Sequence, residues 1–91
     1  QRFPGAQGTE AAFLLGRLEE QRGALAPALT WYDSYLREAP SGSFAAEALA
    51  GKLRAVKASQ GKKAAEPLAR EYLRRFPKGV HVRTAREILG E

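Results

Sequence analysis

The sequence predicts an all-α chain of five helices, paired as antiparallel αα-hairpin repeats. Three observations carry that expectation. An eight-residue phrase recurs 37 residues on: Tyr35-Leu36-Arg37-Glu38-Ala39-Pro40-Ser41-Gly42 returns as Tyr72-Leu73-Arg74-Arg75-Phe76-Pro77-Lys78-Gly79, identical at Tyr, Leu, Arg, Pro and Gly. The same shift pairs Ala28 with Ala65 and Ala48 with Ala85, and it carries Gly5 to Gly42 to Gly79. A fixed period in the thirties within a helical chain marks a stacked repeat. Apolar residues fall at i, i+3, i+4 and i+7, the spacing of a helix face. Gly and Pro then punctuate the chain at intervals that leave only short connections, which force neighbouring helices to run antiparallel.

Residues 1–8 read as a tail or linker, with Pro4, Gly5 and Gly8 as breakers. Arg2-Phe3-Pro4 resembles Arg75-Phe76-Pro77, so this opening is expected to be the tail of a preceding repeat in a longer protein. Thr9 is the expected N-cap of the first helix, with Glu10 favouring its first turn. Ala11, Ala12, Leu14, Leu15 and Leu18 give its stripe, and Gly23 ends it after Arg22. The second helix is expected over 24–38, with Pro27 in its first turn, where a missing N–H costs little. Its buried face would be Ala28, Trp31, Tyr32, Tyr35 and Leu36, with Trp31 the largest contributor.

The third helix is expected over 43–60, with Ala45, Ala48, Leu49, Leu53 and Val56 inward and Gly61 at its end. The fourth would cover 63–76 through Ala65, Leu68, Ala69, Tyr72, Leu73 and Phe76. Pro67 marks either a late start or a bent first turn. A short fifth helix over 82–89 places Val82, Ala85, Ile88 and Leu89 inward and caps the stack, with Arg83, Arg86 and Glu87 facing water. The units are therefore 9–42 and 43–79, followed by a capping helix in 80–91.

Composition agrees with helices. Apolar residues make up 44% of the 91, mostly Ala and Leu, with few β-branched side chains. A core of this size is modest, so stability depends on how well the units stack. There is no cysteine, which excludes disulfides and thiolate metal sites. No apolar run approaches the ~20 residues that span a bilayer. The net charge of +5 is uneven: residues 1–51 hold four basic and six acidic side chains, whereas residues 52–91 hold eleven and four. A basic half suits an acidic peptide, a nucleic acid or an anionic membrane, or simply a solvated surface.

With Thr9 as first position, Leu15-Gly16, Ala28, Tyr32 and Pro40 fall in the pattern of the tetratricopeptide repeat, which the chain resembles. The second unit, 46–77, keeps Ala65 and Pro77 but has Leu53 where Gly is expected and Ala69 where the aromatic is expected. Its first helix aligns better at a shift of 35, with Leu14 on Leu49 and Gly16 on Gly51, so one loop is expected to carry two extra residues. The Phe-Pro and Pro-x-Gly breaks are similar to the repeats of bacterial envelope proteins, such as the β-barrel assembly lipoprotein and the Tol–Pal coordinator. The resemblance implies a right-handed superhelix and an adaptor role, in the periplasm or envelope or else in the cytoplasm.

The family's ligand contacts come from the second, fifth, ninth and twelfth positions of each first helix, which line a concave groove. The resemblance carries these onto Glu10, Phe13, Arg17 and Glu20, and onto Glu47, Ala50, Arg54 and Lys57. Arg17 and Arg54 would then be equivalent on adjacent helices, with Lys57 one turn beyond. Together they form a clamp for a carboxylate or an acidic peptide, because Arg offers a bidentate fork. The usual Asn of the family's carboxylate clamp is missing. As plain surface charge, Arg17 would pair with Glu20 or Gln21, and Arg54 with nothing in particular.

No constellation points to catalysis. His81 is the only histidine and stands in a turn without a carboxylate cluster, so no metal site is expected. The serines have no elbow sequence, Glu19 and Glu20 diverge on a helix, and no Gly loop cradles phosphate. No cofactor is expected. The leading reading is a protein–protein interaction module that binds a peptide or partner domain. Two others stand beside it. One is nucleic-acid or anionic-membrane binding through Lys62, Lys63, Arg70, Arg74 and Arg75, reinforced by Lys52, Arg54 and Lys57. It is disfavoured by the lack of one continuous stripe or a stacking platform. The other is a structural spacer that self-associates through an apolar edge of the first helix.

Overall fold

The computed structural model describes residues 5–91, with side chains from Thr9 onward. The described residues form five α-helices and no strand: α1 Gly5–Gln21, α2 Leu25–Glu38, α3 Ala45–Gln60, α4 Lys62–Arg75 and α5 Val82–Ile88. Each helix packs on the next, and α1 also touches α3. The chain is therefore a row of antiparallel hairpins, 41 × 26 × 17 Å, as expected from the repeat.

The start of α1 departs from expectation. The helix begins at Gly5, so Thr9 lies inside it and is not its cap, and residues 5–8 are not a tail. A glycine in a helix costs about 1 kcal/mol relative to alanine, which weakens the first turn without forbidding it. The likeness of Arg2-Phe3-Pro4 to a repeat end lies outside the described residues.

The hairpin tips are glycine turns. Gly23 has φ +80°, a left-handed conformation that a side chain disfavours. Its N–H donates to Glu20 O while Ala24 N–H donates to Glu19 O, which satisfies two carbonyls at the end of α1. At the second tip α3 runs on to Gln60 and Gly61 alone makes the turn. The expected two-residue loop insertion is therefore absent: the second loop is shorter than the first. Pro67 lies inside α4, which excludes a late helix start. Pro67 and Lys63 are both exposed, and Pro67 has no N–H to donate to the Lys63 carbonyl one turn back.

The repeated phrase builds the same corner twice. Ala39 N–H and Phe76 N–H close the ends of α2 and α4 on Tyr35 O and Tyr72 O. Gly42 N–H then donates to Ala39 O, and Gly79 N–H to Phe76 O, with Pro at the second turn position, where its fixed φ is favourable. The Tyr35 hydroxyl accepts from Phe44 N–H at 2.8 Å, and the Tyr72 hydroxyl accepts from His81 N–H at 3.1 Å. A Cβ at Gly42 or Gly79 would overlap the tyrosine hydroxyl, so the phrase needs Tyr and Gly together. Arg75 ties the two corners by donating to Pro40 O.

Two apolar clusters form the core. One holds Ala12, Phe13, Ala28, Tyr32, Tyr35, Ala45 and Ala48. The other holds Leu49, Ala50, Leu53, Ala65, Ala69, Tyr72, Ala85 and Ile88. Leu36 and Phe76 pack against both. A shift of 37 maps residues 12, 13, 16, 28, 32, 35, 48 and 51, all buried, onto the whole second cluster. The shift of 35 is therefore not the structural period: Leu14 is exposed, whereas Leu49 is buried. Trp31 is also corrected. It packs half-buried beside the first cluster, and the fully buried Tyr32 and Tyr35 are the large central side chains. Arg83, Arg86 and Glu87 on α5 face water as expected.

Candidate functional site

α1 touches α3, and side chains bridge α1 to α3 and α3 to the start of α5. Glu20 on α1 reaches Arg54 on α3 with a two-pronged contact, Nε to Oε2 at 2.7 Å and Nη2 to Oε1 at 3.0 Å. The Tyr32 hydroxyl of α2 donates to Glu20 Oε1 at 2.7 Å. One carboxylate thus joins three helices. At the next junction Glu47 on α3 meets His81 Nε2, at the start of α5, at 3.0 Å. Both bridges span 34 residues.

The electrostatics of the first bridge follow from this geometry. Burial alone would raise the Glu20 carboxyl, but hydrogen bonds from Arg54 and Tyr32 and the charges of Arg54 and Arg17 outweigh it. They hold the group below its ordinary value. Burial, reinforced by the bond to Glu20, pushes the Tyr32 hydroxyl far above an ordinary phenol. The bond to Glu20 raises Arg54 further despite its partial burial.

Glu10, Arg17 and Lys57 are exposed, as a surface role requires. Arg17 and Lys57 make no ion pair among the described residues. Phe13 is not a groove residue. It is buried, with its ring stacked on Phe44 at 4.5 Å between centroids and 3° between planes. Ala50, at the same register one repeat on, is buried too, so this position faces the core in both units. The clamp also changes. Arg54 is not free for an outside carboxylate, because Glu20 already occupies its fork. Reading Arg17 as the partner of Glu20 misassigned that carboxylate.

The sequence reading missed the polar roles of Tyr32 and His81. Glu20 and Arg54 hold the twelfth and ninth positions of successive first helices, three residues apart in register, so repeat position alone does not pair them. Nothing in the sequence singles out the Tyr32 hydroxyl, whose ring is core. The basic residues do not gather into one patch. Arg70 is paired with Glu66 and Arg75 with Glu71. Lys62 and Lys63 begin α4 whereas Arg74 ends it, about 18 Å away at 1.5 Å per residue. Lys52 pairs with Asp33 of α2 at 2.6 Å. Among the described residues no helix is long and apolar enough to cross a membrane, and no cluster of three His, Cys, Asp or Glu is placed to hold a metal.

Comparison with known proteins adds no assignment: no family model matches the chain, and no curated protein or solved structure matches it. What the structure itself defines is the class, a helical protein of repeated antiparallel hairpins.

Proposed function

We propose that the chain is a protein–protein interaction module of tetratricopeptide-like type, an adaptor or scaffold within a larger bacterial protein of the envelope. It takes a peptide or partner domain along the face shared by α1, α3 and α5. The observation that supports this is the internal carboxylate of Glu20. It fixes Arg54 and holds α1 and α3 in register, while Arg17 and Lys57 stay exposed on the same two helices without ion pairs of their own. A pair of cations on a pre-ordered surface suits an acidic ligand, since little side-chain or helix ordering remains to be done on binding. The family resemblance in Leu15-Gly16, Ala28, Tyr32 and Pro40 supports the same reading.

Selection of displayed peptides on the immobilised chain tests the proposal. Acidic sequences are expected to be enriched, and to bind Arg17→Glu/Lys57→Glu about tenfold or more weakly, because two attractive charges become repulsive. Enrichment of no sequence, or binding indifferent to the double variant, would overturn it. Binding of single-stranded nucleic acid instead, lost steeply with salt, would move the function to the basic half.

A further inference from the structure

The outer face of α1 is apolar and open. Leu14 is 58% exposed and Leu18 50%, with Leu15 and Ala11 half-buried beside them. The repeat register says what such a face does elsewhere in the chain. One period on, these positions are Ala48, Gly51, Lys52 and Ala55 of α3. Ala48, Gly51 and Ala55 are buried, Gly51 lies against the Tyr32 ring, and Lys52 pairs with Asp33, so this face of α3 is laid on α2. Two periods on, the register reaches Ala85, Ile88 and Leu89 of α5, where Ala85 and Ile88 are buried in a cluster with Ala65, Ala69 and Tyr72 of α4.

The chemistry of the α1 face matches the second of these seams. Ala11, Leu14 and Leu15 correspond to Ala85, Ile88 and Leu89, small, large and large in the same order. Opposite Gly51 stands the large Tyr32, whereas the cluster around Ile88 holds the small Ala69. A leucine at position 14 therefore calls for a small residue across from it.

We infer that the Leu14–Leu18 face of α1 is a docking seam for an amphipathic helix of the α4 kind. That helix runs antiparallel to α1 and carries the stripe Ala-x-x-x-Ala-x-x-Tyr, with its second alanine against Leu14. A second folded copy of this chain is not the occupant, because its own Ala65, Ala69 and Tyr72 are fully buried. The seam is tested at Leu14 and the ligand face at Arg17 and Lys57, so the failure of one is distinguished from the failure of the other by different variants.

The probe is a synthetic peptide of the Lys62–Arg75 sequence, held helical by a side-chain staple between positions 63 and 67, which are both exposed in the protein. It is titrated into the full labelled chain and followed by amide chemical shifts. Saturable shifts confined to α1 are expected. Leu14→Lys in the chain, or Ala69→Trp in the peptide, should each weaken binding about tenfold or more, by leaving a charge or an oversized ring in the seam. Circular dichroism of Leu14→Lys checks that the exposed substitution leaves the fold intact. No saturable binding of the stapled peptide, binding indifferent to Leu14→Lys, or a dimer that Leu14→Lys dissociates would each overturn the inference.

Discussion

The two repeats solve one packing problem with opposite residues. In the first, the Tyr32 ring is held between two glycines: a Cβ on Gly16 would come within 2.7 Å of one edge of the ring, and a Cβ on Gly51 would overlap the other. A shift of 37 turns Gly16, Tyr32 and Gly51 into Leu53, Ala69 and Ile88, all buried in the second cluster. One unit places a large side chain between small neighbours, and the other a small one among large neighbours. The same exchange occurs at Ala12-Phe13 and Leu49-Ala50. Interiors are close-packed, so what a repeat must keep is the summed volume at a contact rather than the residue at a position. That is why Leu53 and Ala69 look like lapses from the repeat pattern when each is read alone, and form a matched set when read together.

The sharpest way to break this comparison is to move one unit's solution into the other. Tyr32→Ala removes a fully buried ring and should cost about 3–5 kcal/mol, the usual loss for a large aromatic in a core. Gly51→Ile alone should also destabilise, by about 1–3 kcal/mol, because its side chain meets the ring. The triple variant Gly16→Leu/Tyr32→Ala/Gly51→Ile installs the set of the second repeat in the first. It should recover more than half of the Tyr32→Ala loss, seen as a rise in the urea midpoint. A triple variant no more stable than Tyr32→Ala would show that the volumes are not exchangeable between the units.

The corners make the opposite prediction, because there the two units are alike. Tyr35→Phe and Tyr72→Phe each remove the acceptor for one corner N–H, of Phe44 and of His81. Each should cost about 1–2 kcal/mol, since a partly buried donor is left without its partner. The two losses should agree within about 0.5 kcal/mol, and the double variant should be additive because the sites share no partner. Chemical denaturation of the four proteins checks this, and a large loss in only one repeat would mean that the shared phrase serves different purposes in the two places.

Legibility in the sequence followed the same division. The corner was readable because it keeps its residues: Tyr, Pro and Gly at fixed offsets gave the period, the hairpins and four helices to within two residues at either end. The core register was harder to read. Identity between Leu14 and Leu49 and between Gly16 and Gly51 pointed to a shift of 35, although burial follows 37. Volume exchange hides equivalence from any comparison that counts matches. The candidate groove was legible as a set of positions, but not as a set of bonds. Glu10, Arg17 and Lys57 are at the surface as expected, whereas Phe13 turns inward because Phe44, at the corner between α2 and α3, stacks on it. Which carboxylate meets Arg54 depends on the height of α1 against α3, a tertiary quantity that helix periodicity does not contain.

The smallest expected effect concerns the junction charges, and here too the repeats differ. Lys57 stands at the register of Glu20, so the Glu20–Arg54 bridge has no counterpart at that position in the second repeat. Burial would raise the Glu20 carboxyl, but the Arg54 and Tyr32 hydrogen bonds hold it below the ordinary value of 4.5. A carboxyl lowered in the folded state binds its proton less readily there than in the unfolded chain. Its contribution is therefore complete above the unfolded value and is lost as pH falls through the folded one. The difference in stability between the wild type and Glu20→Gln should be constant from about pH 7 to about pH 5, and should shrink between about pH 5 and pH 3. Because the bridge is partly solvated, the whole difference should stay below about 1 kcal/mol. Thermal melts of both proteins across that range measure it. A difference that does not narrow on the acid side would mean that Glu20 holds α1 and α3 by shape rather than by charge, and would leave Arg54 open to a ligand carboxylate after all.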